Sequence, residues 1–146
     1  MKNQLISIVL PVFNEEAGIQ ATIDTLLNYI EQQEEKYELI FVDDGSKDKS
    51  VAIIKRALAQ NDHIKLVEFS RNFGHQLAIT AGLEYTKGDA VVVMDADLQD
   101  PPEVIPQMIK KWHEGYQIVY GKECKEMVKQ FLRSSPLKCF IEPSKN

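Results

Sequence analysis

The chain predicts an α/β fold, a mostly parallel sheet with helices on both faces, and three observations carry that prediction. Strand-like and helix-like segments alternate without interruption from residue 5 to about residue 120. The first apolar run, LISIVLPVF, is rich in β-branched residues and almost continuously apolar, as a strand buried on both faces must be. The segments that follow the strands collect Asp, Asn, Ser and Gly, at the sheet edge where α/β folds bind ligands.

Residues 5–13 form the first expected strand, with Pro11 near its end, where a missing ladder donor is tolerable. Asn14 is read as a helix N-cap. Ile19, Ile23, Leu26, Leu27 and Ile30 then recur at three- and four-residue steps, the pattern of an amphipathic helix. The cycle repeats as a strand over 37–42, a helix over 49–60, a strand over 63–69, a helix over 75–85 and a strand over 90–94. Pro101 and Pro102 open a further helix carrying Val104, Ile105, Met108, Ile109 and Trp112, and Pro106 is tolerated in its first turn. A short strand over 117–120 ends the series. Strict alternation implies a parallel sheet with right-handed crossovers.

With 146 residues, 44% apolar and 27% charged, the chain has the profile of one globular domain. No apolar stretch approaches the roughly 18 residues of a membrane helix, and the N-terminal residues lack a signal peptide's cleavage site. A soluble, cytoplasmic chain is expected. The net charge of -5 argues against a nucleic-acid partner. Cys124 and Cys139 are too few for a disulfide scaffold and lack zinc-site spacing. The charge is uneven: residues 1–121 hold 11 basic and 19 acidic side chains, whereas 122–146 hold 6 and 3.

The strand ends carry the chemistry. They read Pro11-Val12-Phe13-Asn14-Glu15-Glu16, Asp43-Asp44-Gly45-Ser46, Ser70-Arg71-Asn72-Phe73-Gly74 and Asp95-Ala96-Asp97-Leu98-Gln99-Asp100. Three of the four are rich in carboxylates, and crowded like charges need a cation or hydrogen-bond donors. Oxygen ligands of this kind suit Mg2+ or Mn2+ shared with substrate phosphates. Each motif also has a plain structural reading. Asp43-Asp44-Gly45-Ser46 serves equally as a turn with a helix cap, Glu15 and Glu16 as charges favouring a helix N-terminus, and Asn72 with Gly74 as a turn. His75 reads first as a surface or core histidine. The conjunction is stronger than any member. The G-x-G-x-x-G and G-x-x-x-x-G-K-[ST] strings of other nucleotide folds are absent, and a phosphoaspartate enzyme would place its acids after the first strand.

LISIVLPVFNEE, ELIFVDDGSKDKS, FSRNFGHQLAITAGLEYTKGDAVVVMDADLQDPPEVIPQMIKKW and QIVYGK together resemble family 2 glycosyltransferases of the GT-A (Rossmann-like) fold. The nearest subgroup is the polyprenyl-phosphate sugar transferases: bactoprenol glucosyltransferases, with dolichol-phosphate mannosyltransferases as cousins. The resemblance covers residues 4–122 and implies the nucleotide-sugar half of such an enzyme. It makes Pro11, Phe13 and Glu15 first-strand nucleotide contacts, Phe13 standing where the family often has Tyr. It makes Val42 and Asp44, with Asp43 beside them, the wall and acid that hold base and ribose. Asp95, Ala96 and Asp97 match the D-x-D whose acids bind the metal and the sugar-nucleotide, Asp97 being the catalytic candidate, and Gln99 matches a further metal ligand. The implied cofactor is Mg2+ or Mn2+. The implied donor is UDP-glucose before GDP-mannose, the acceptor a polyprenyl phosphate, and the transfer inverting. Full-length relatives are membrane-anchored with the catalytic domain in the cytoplasm.

After Lys122 the family continues with an arginine, further basic residues and a G-E pair. Here the 123–146 tail, ECKEMVKQFLRSSPLKCFIEPSKN, departs from it, although Met127, Phe131 and Leu132 have the spacing of a modest amphipathic helix. With codons chosen for the purpose, residues 123–141 back-translate to a shifted frame reading RMQRDGETVFKKFTAKMLY, the family's kind of sequence. The expectation is a frameshift, by loss of one adenine at Lys122, that truncates a longer enzyme.

Overall fold

The computed structural model describes residues 4–97, 104–115, 118–119 and 140–141. Among these the order is β1 (Leu5–Val12), α1 (Ile19–Glu31), β2 (Lys36–Asp43), α2 (Ser50–Gln60), β3 (Ile64–Glu68), α3 (His75–Glu84), β4 (Ala90–Val93), α4 (Val104–His113), β5 (Ile118–Val119) and β6 (Phe140–Ile141). The expected alternation is present, with most boundaries one residue from those read in the sequence. The strands lie in the order β3-β2-β1-β4-β6-β5, and each neighbouring pair is parallel. The chain runs outward from β1 through β2 to β3 and then crosses back to place β4 on the other side of β1. That reversal opens a crevice at the carboxyl ends of β1 and β4.

Alternation along β1 divides the core. Ile6, Ile8 and Leu10 face α1, α2 and α4 and pack with Ile19, Ile23, Leu26, Ile54 and Ile105. Val9 faces the opposite side and packs with Ala78, Ile79 and Leu83 of α3. Burying each such side chain contributes about 1.5–3 kcal/mol, so this one strand anchors both layers. Gly82 lets α3 lie close against the sheet: a Cβ there would stand 2.5 Å from Val9 Cγ1 and 2.9 Å from Val42 Cγ2. In α4, Lys110, Lys111 and His113 occupy the last turn, where the helix dipole favours cations. None of the described helices is long and apolar enough to cross a membrane.

One polar cluster lies inside the sheet. Glu38 is buried, and its Oε1 accepts hydrogen bonds from Ser7 Oγ at 2.5 Å and the Lys87 amide at 2.8 Å. Its Oε2 accepts from Lys65 Nζ at 2.7 Å, and Ser7 Oγ accepts from the Gly88 amide at 2.9 Å. Burial alone raises the Glu38 pKa, but the hydrogen bonds from Lys65, Ser7 and Lys87 outweigh it and hold the carboxyl below its ordinary value.

Two sequence readings change. Asn14 is not an N-cap: α1 begins at Ile19 after Gly18, and Asn14 sits at φ 52°, a left-handed turn position that Asn tolerates. β6 pairs with β4 and β5 in a region where no strand was expected. The helix start at Pro101 and Pro102, the strand ends at 117 and 120, Gln99, and Met127, Phe131 and Leu132 lie outside the described residues.

Candidate functional site

Short polar side chains sew the loop after β1 to the loop after β2. Ser46 Oγ accepts from the Asn14 amide at 2.9 Å and Ser50 Oγ from the Glu15 amide at 2.8 Å. Asp48 Oδ2 accepts from the Glu16 amide at 3.1 Å, and its Oδ1 accepts from the Ser50 amide at 2.9 Å. In the other direction, Asn14 Oδ1 accepts from the Lys47 amide at 2.9 Å and Glu16 Oε2 from the Lys49 amide at 3.3 Å. Asp, Asn and Ser do this because their short arms reach nearby amides that no strand or helix satisfies. The turn reading of Asp43-Asp44-Gly45-Ser46 is therefore part of the answer, since Asp43 Oδ2 accepts from the Ser46 amide at 3.1 Å.

Asp44 secures a third loop. Its Oδ1 accepts from the Phe73 amide at 2.7 Å, and both of its oxygens lie 3.2 Å from the Gly74 amide. Gly45, at φ 76°, allows the close approach: a side chain there would run into the backbone of Arg71 and Asn72. On the outer side of this loop the Arg71 guanidinium stacks 4.0 Å from the Phe73 ring centroid. Beyond β4, Thr22 Oγ1 of α1 donates to the Ala96 carbonyl at 2.5 Å and so fixes the turn that carries Asp95 and Asp97.

These loops surround a cavity of about 400 Å3 at the crevice between β1 and β4. Pro11, Phe13 and Glu15 line it from β1, Asp44 from β2, and Asp95, Ala96 and Asp97 from β4. Val42 does not: its side chain is fully buried in the α3-side core with Val9 and Ile40, because alternation along β2 turns it away from the crevice. The structure adds Asn72 and His75, which the sequence offered only as turn and surface residues. Their signal was the position of Ser70-Arg71-Asn72-Phe73-Gly74 at a strand end. His75 Nε2 stands 3.8 Å from Asp95 Oδ1.

The acids interact. Burial first, then the charges of Asp97, Asp48 and Asp95, raise the Glu15 carboxyl above its ordinary pKa. No group of three or more His, Cys, Asp or Glu side chains among the described residues forms a ready-made metal cage. The donor set nevertheless fits a hard cation, because Mg2+-type ions need only one or two carboxylates when waters and substrate phosphates complete the shell.

Residues 7–136 match the family model for glycosyl transferase family 2. The chain belongs to that family. An uncharacterized glycosyltransferase of Bacillus subtilis is 49% identical over 134 residues, 92% of this chain and 42% of that protein. The bactoprenol glucosyl transferase of Shigella phage SfX is 47% identical over 118 residues, 80% of this chain and 38% of its own. Among solved structures, glucosyl-3-phosphoglycerate synthase of Mycobacterium tuberculosis, in complex with Mn2+, uridine diphosphate and glucosyl-3-phosphoglycerate, superposes with a TM-score of 0.63 at 26% identity. That match covers 80% of this chain and 43% of the synthase. The fold is the GT-A fold of the glycosyltransferases. This family 2 chain spans about two fifths of the length of the curated relatives it matches, and the family match runs past Lys122.

Proposed function

We propose that this chain is the donor-binding part of a family 2 glycosyltransferase that moves glucose from UDP-glucose to a polyprenyl phosphate with inversion. The observation that supports it most directly is the convergence of Glu15, Asp44, Asp95 and Asp97 on one cavity at the crevice between β1 and β4. The relatives at nearly half identity include a bactoprenol glucosyl transferase. A structural neighbour above a quarter identity was solved with Mn2+ and uridine diphosphate. In this reading Phe13 offers an exposed aromatic face to the base, and Asp44 accepts from its ribose or base while holding the 69–74 loop. Asp95 and Asp97, with Gln99, would hold Mg2+ or Mn2+. A cation bound there supplies positive charge for the diphosphate as it leaves. The acceptor phosphate oxygen bonds to the anomeric carbon as the bond from that carbon to the β-phosphate oxygen breaks, and UDP departs with the electron pair. An anionic phosphate needs little general-base help, so positioning and charge stabilisation dominate. GDP-mannose is the second donor.

A second reading is nucleotide-sugar binding without turnover, which the same acid-lined cavity would also support. Titration calorimetry against UDP-, GDP- and dTDP-sugars with and without Mn2+ tests the donor site. The expected result is Mn2+-dependent UDP binding that Asp97→Ala abolishes; Mn2+-independent binding, or an unaffected variant, contradicts the assignment.

A further inference from the structure

We propose that His75 is a donor-binding residue that hydrogen-bonds the diphosphate beside the Asp95 carboxylate, an inference that rests on the donor reading above. A diphosphate presents only acceptor oxygens, so its side-chain partners must donate protons. Among the described residues, four of the side chains lining the cavity are carboxylates, and only Asn72 and His75 bring N–H groups. His75 stands beside one of those carboxylates. Its Nε2 faces Asp95 Oδ1 at 3.8 Å, beyond the ~2.7–3.2 Å of an N–H···O hydrogen bond.

The contact with Asp95 does not explain the residue structurally. His75 is 60% exposed, and ion pairs at such sites contribute little to stability. The segment that presents it is held firmly: Asp44 accepts from the Gly74 amide immediately before it, and Gly45 packs on the backbone of Arg71 and Asn72. The imidazole is thus carried on a fixed backbone to the rim of an acid-lined cavity. His75 also opens α3, where the helix dipole favours an anion over a cation. Asp95 is one of the acids that would hold a cation, so the imidazole stands beside the group that would share that cation with a bound diphosphate.

The test uses the full chain, with His75→Ala and His75→Gln, and measures affinity for UDP, uridine and Mn2+ separately. UDP affinity in Mn2+ is expected to fall about tenfold or more in His75→Ala and to recover in part in His75→Gln, which keeps an N–H donor. Uridine and Mn2+ affinities and the melting temperature are expected to stay at wild-type values. Unchanged UDP affinity in His75→Ala overturns the inference, and so does an equal loss for uridine, which places the effect away from the phosphates. An equal loss of Mn2+ affinity also overturns it, by showing that His75 acts through Asp95. A wild-type chain that binds no nucleoside diphosphate fails the donor reading itself, and this inference with it.

Discussion

Glu15 is fixed by its own backbone, whose amide is bonded to Ser50 Oγ, in a place where burial and the charges of Asp97, Asp48 and Asp95 disfavour its ionised form. The sign of the pH effect follows. A carboxyl whose folded pKa is raised binds its proton more tightly in the native state, so folding stability falls as pH climbs from the ordinary value of 4.5 through the raised one. Glu15→Gln removes that penalty. Thermal melts from pH 4 to 8 in EDTA are expected to show the variant gaining on the wild type as pH rises, and Mn2+ is expected to narrow the gap. Parallel melting curves across the range would sink this account. The same residue shows why its role was readable only in part. NEE after an apolar run marks a strand end, but nothing local says that residues 95–97 face it.

At the scale of elements, the Glu38 cluster ties together three strands and the loop leading into β4. Ser7 lies on β1, Glu38 on β2 and Lys65 on β3, with the Lys87 and Gly88 amides just before β4. Replacing Glu38 by Ala leaves the Ser7 hydroxyl and the Lys87 amide without their acceptor, and each buried unsatisfied donor costs on the order of 1–3 kcal/mol. Urea unfolding is expected to show a loss of that order for Glu38→Ala. Because the folded pKa of Glu38 is depressed, its contribution is present above the ordinary carboxylate value and is lost as pH falls through the folded one. The wild-type advantage over the variant is therefore expected to shrink in acid; an advantage that grew in acid would reverse the assignment. The elements themselves were legible because the periods of 2 and 3.6 are local properties. Asn14 was misread because Asn serves both as a helix cap and at a left-handed turn, and the choice is set by the stitching to Ser46 and Lys47.

At the scale of the molecule, both hydrophobic layers close around β1 and leave the crevice as the place for a ligand. The described chain is expected to melt cooperatively, and saturation with UDP and Mn2+ at a hundredfold over Kd is expected to raise Tm by roughly 10 °C. A broad, ligand-insensitive transition would instead indicate an assembly that does not hold its site. Transfer asks for more, since alignment of both reactants supplies about 7–11 kcal/mol of barrier reduction. Under the proposed function the described residues hold the donor, and the 146-residue chain with UDP-glucose, Mn2+ and polyprenyl phosphate is expected to form no lipid-linked sugar. Detected product would show that this chain also holds the acceptor.

By itself the sequence determined the order of strands and helices and the strand-end position of the Asp95 and Asp97 carboxylates, because hydrophobic period and strand-end chemistry are written in neighbouring residues, while the GT-A class came from its resemblance to family 2 glycosyltransferases. Only the tertiary structure decided that Val42 turns into the core, that Asp44 clamps the 69–74 loop, and that His75 joins the cavity. The physical reason is common to all three. Strand pairing sets which face each side chain takes, and crossovers bring together loops that lie some thirty to eighty residues apart in the chain.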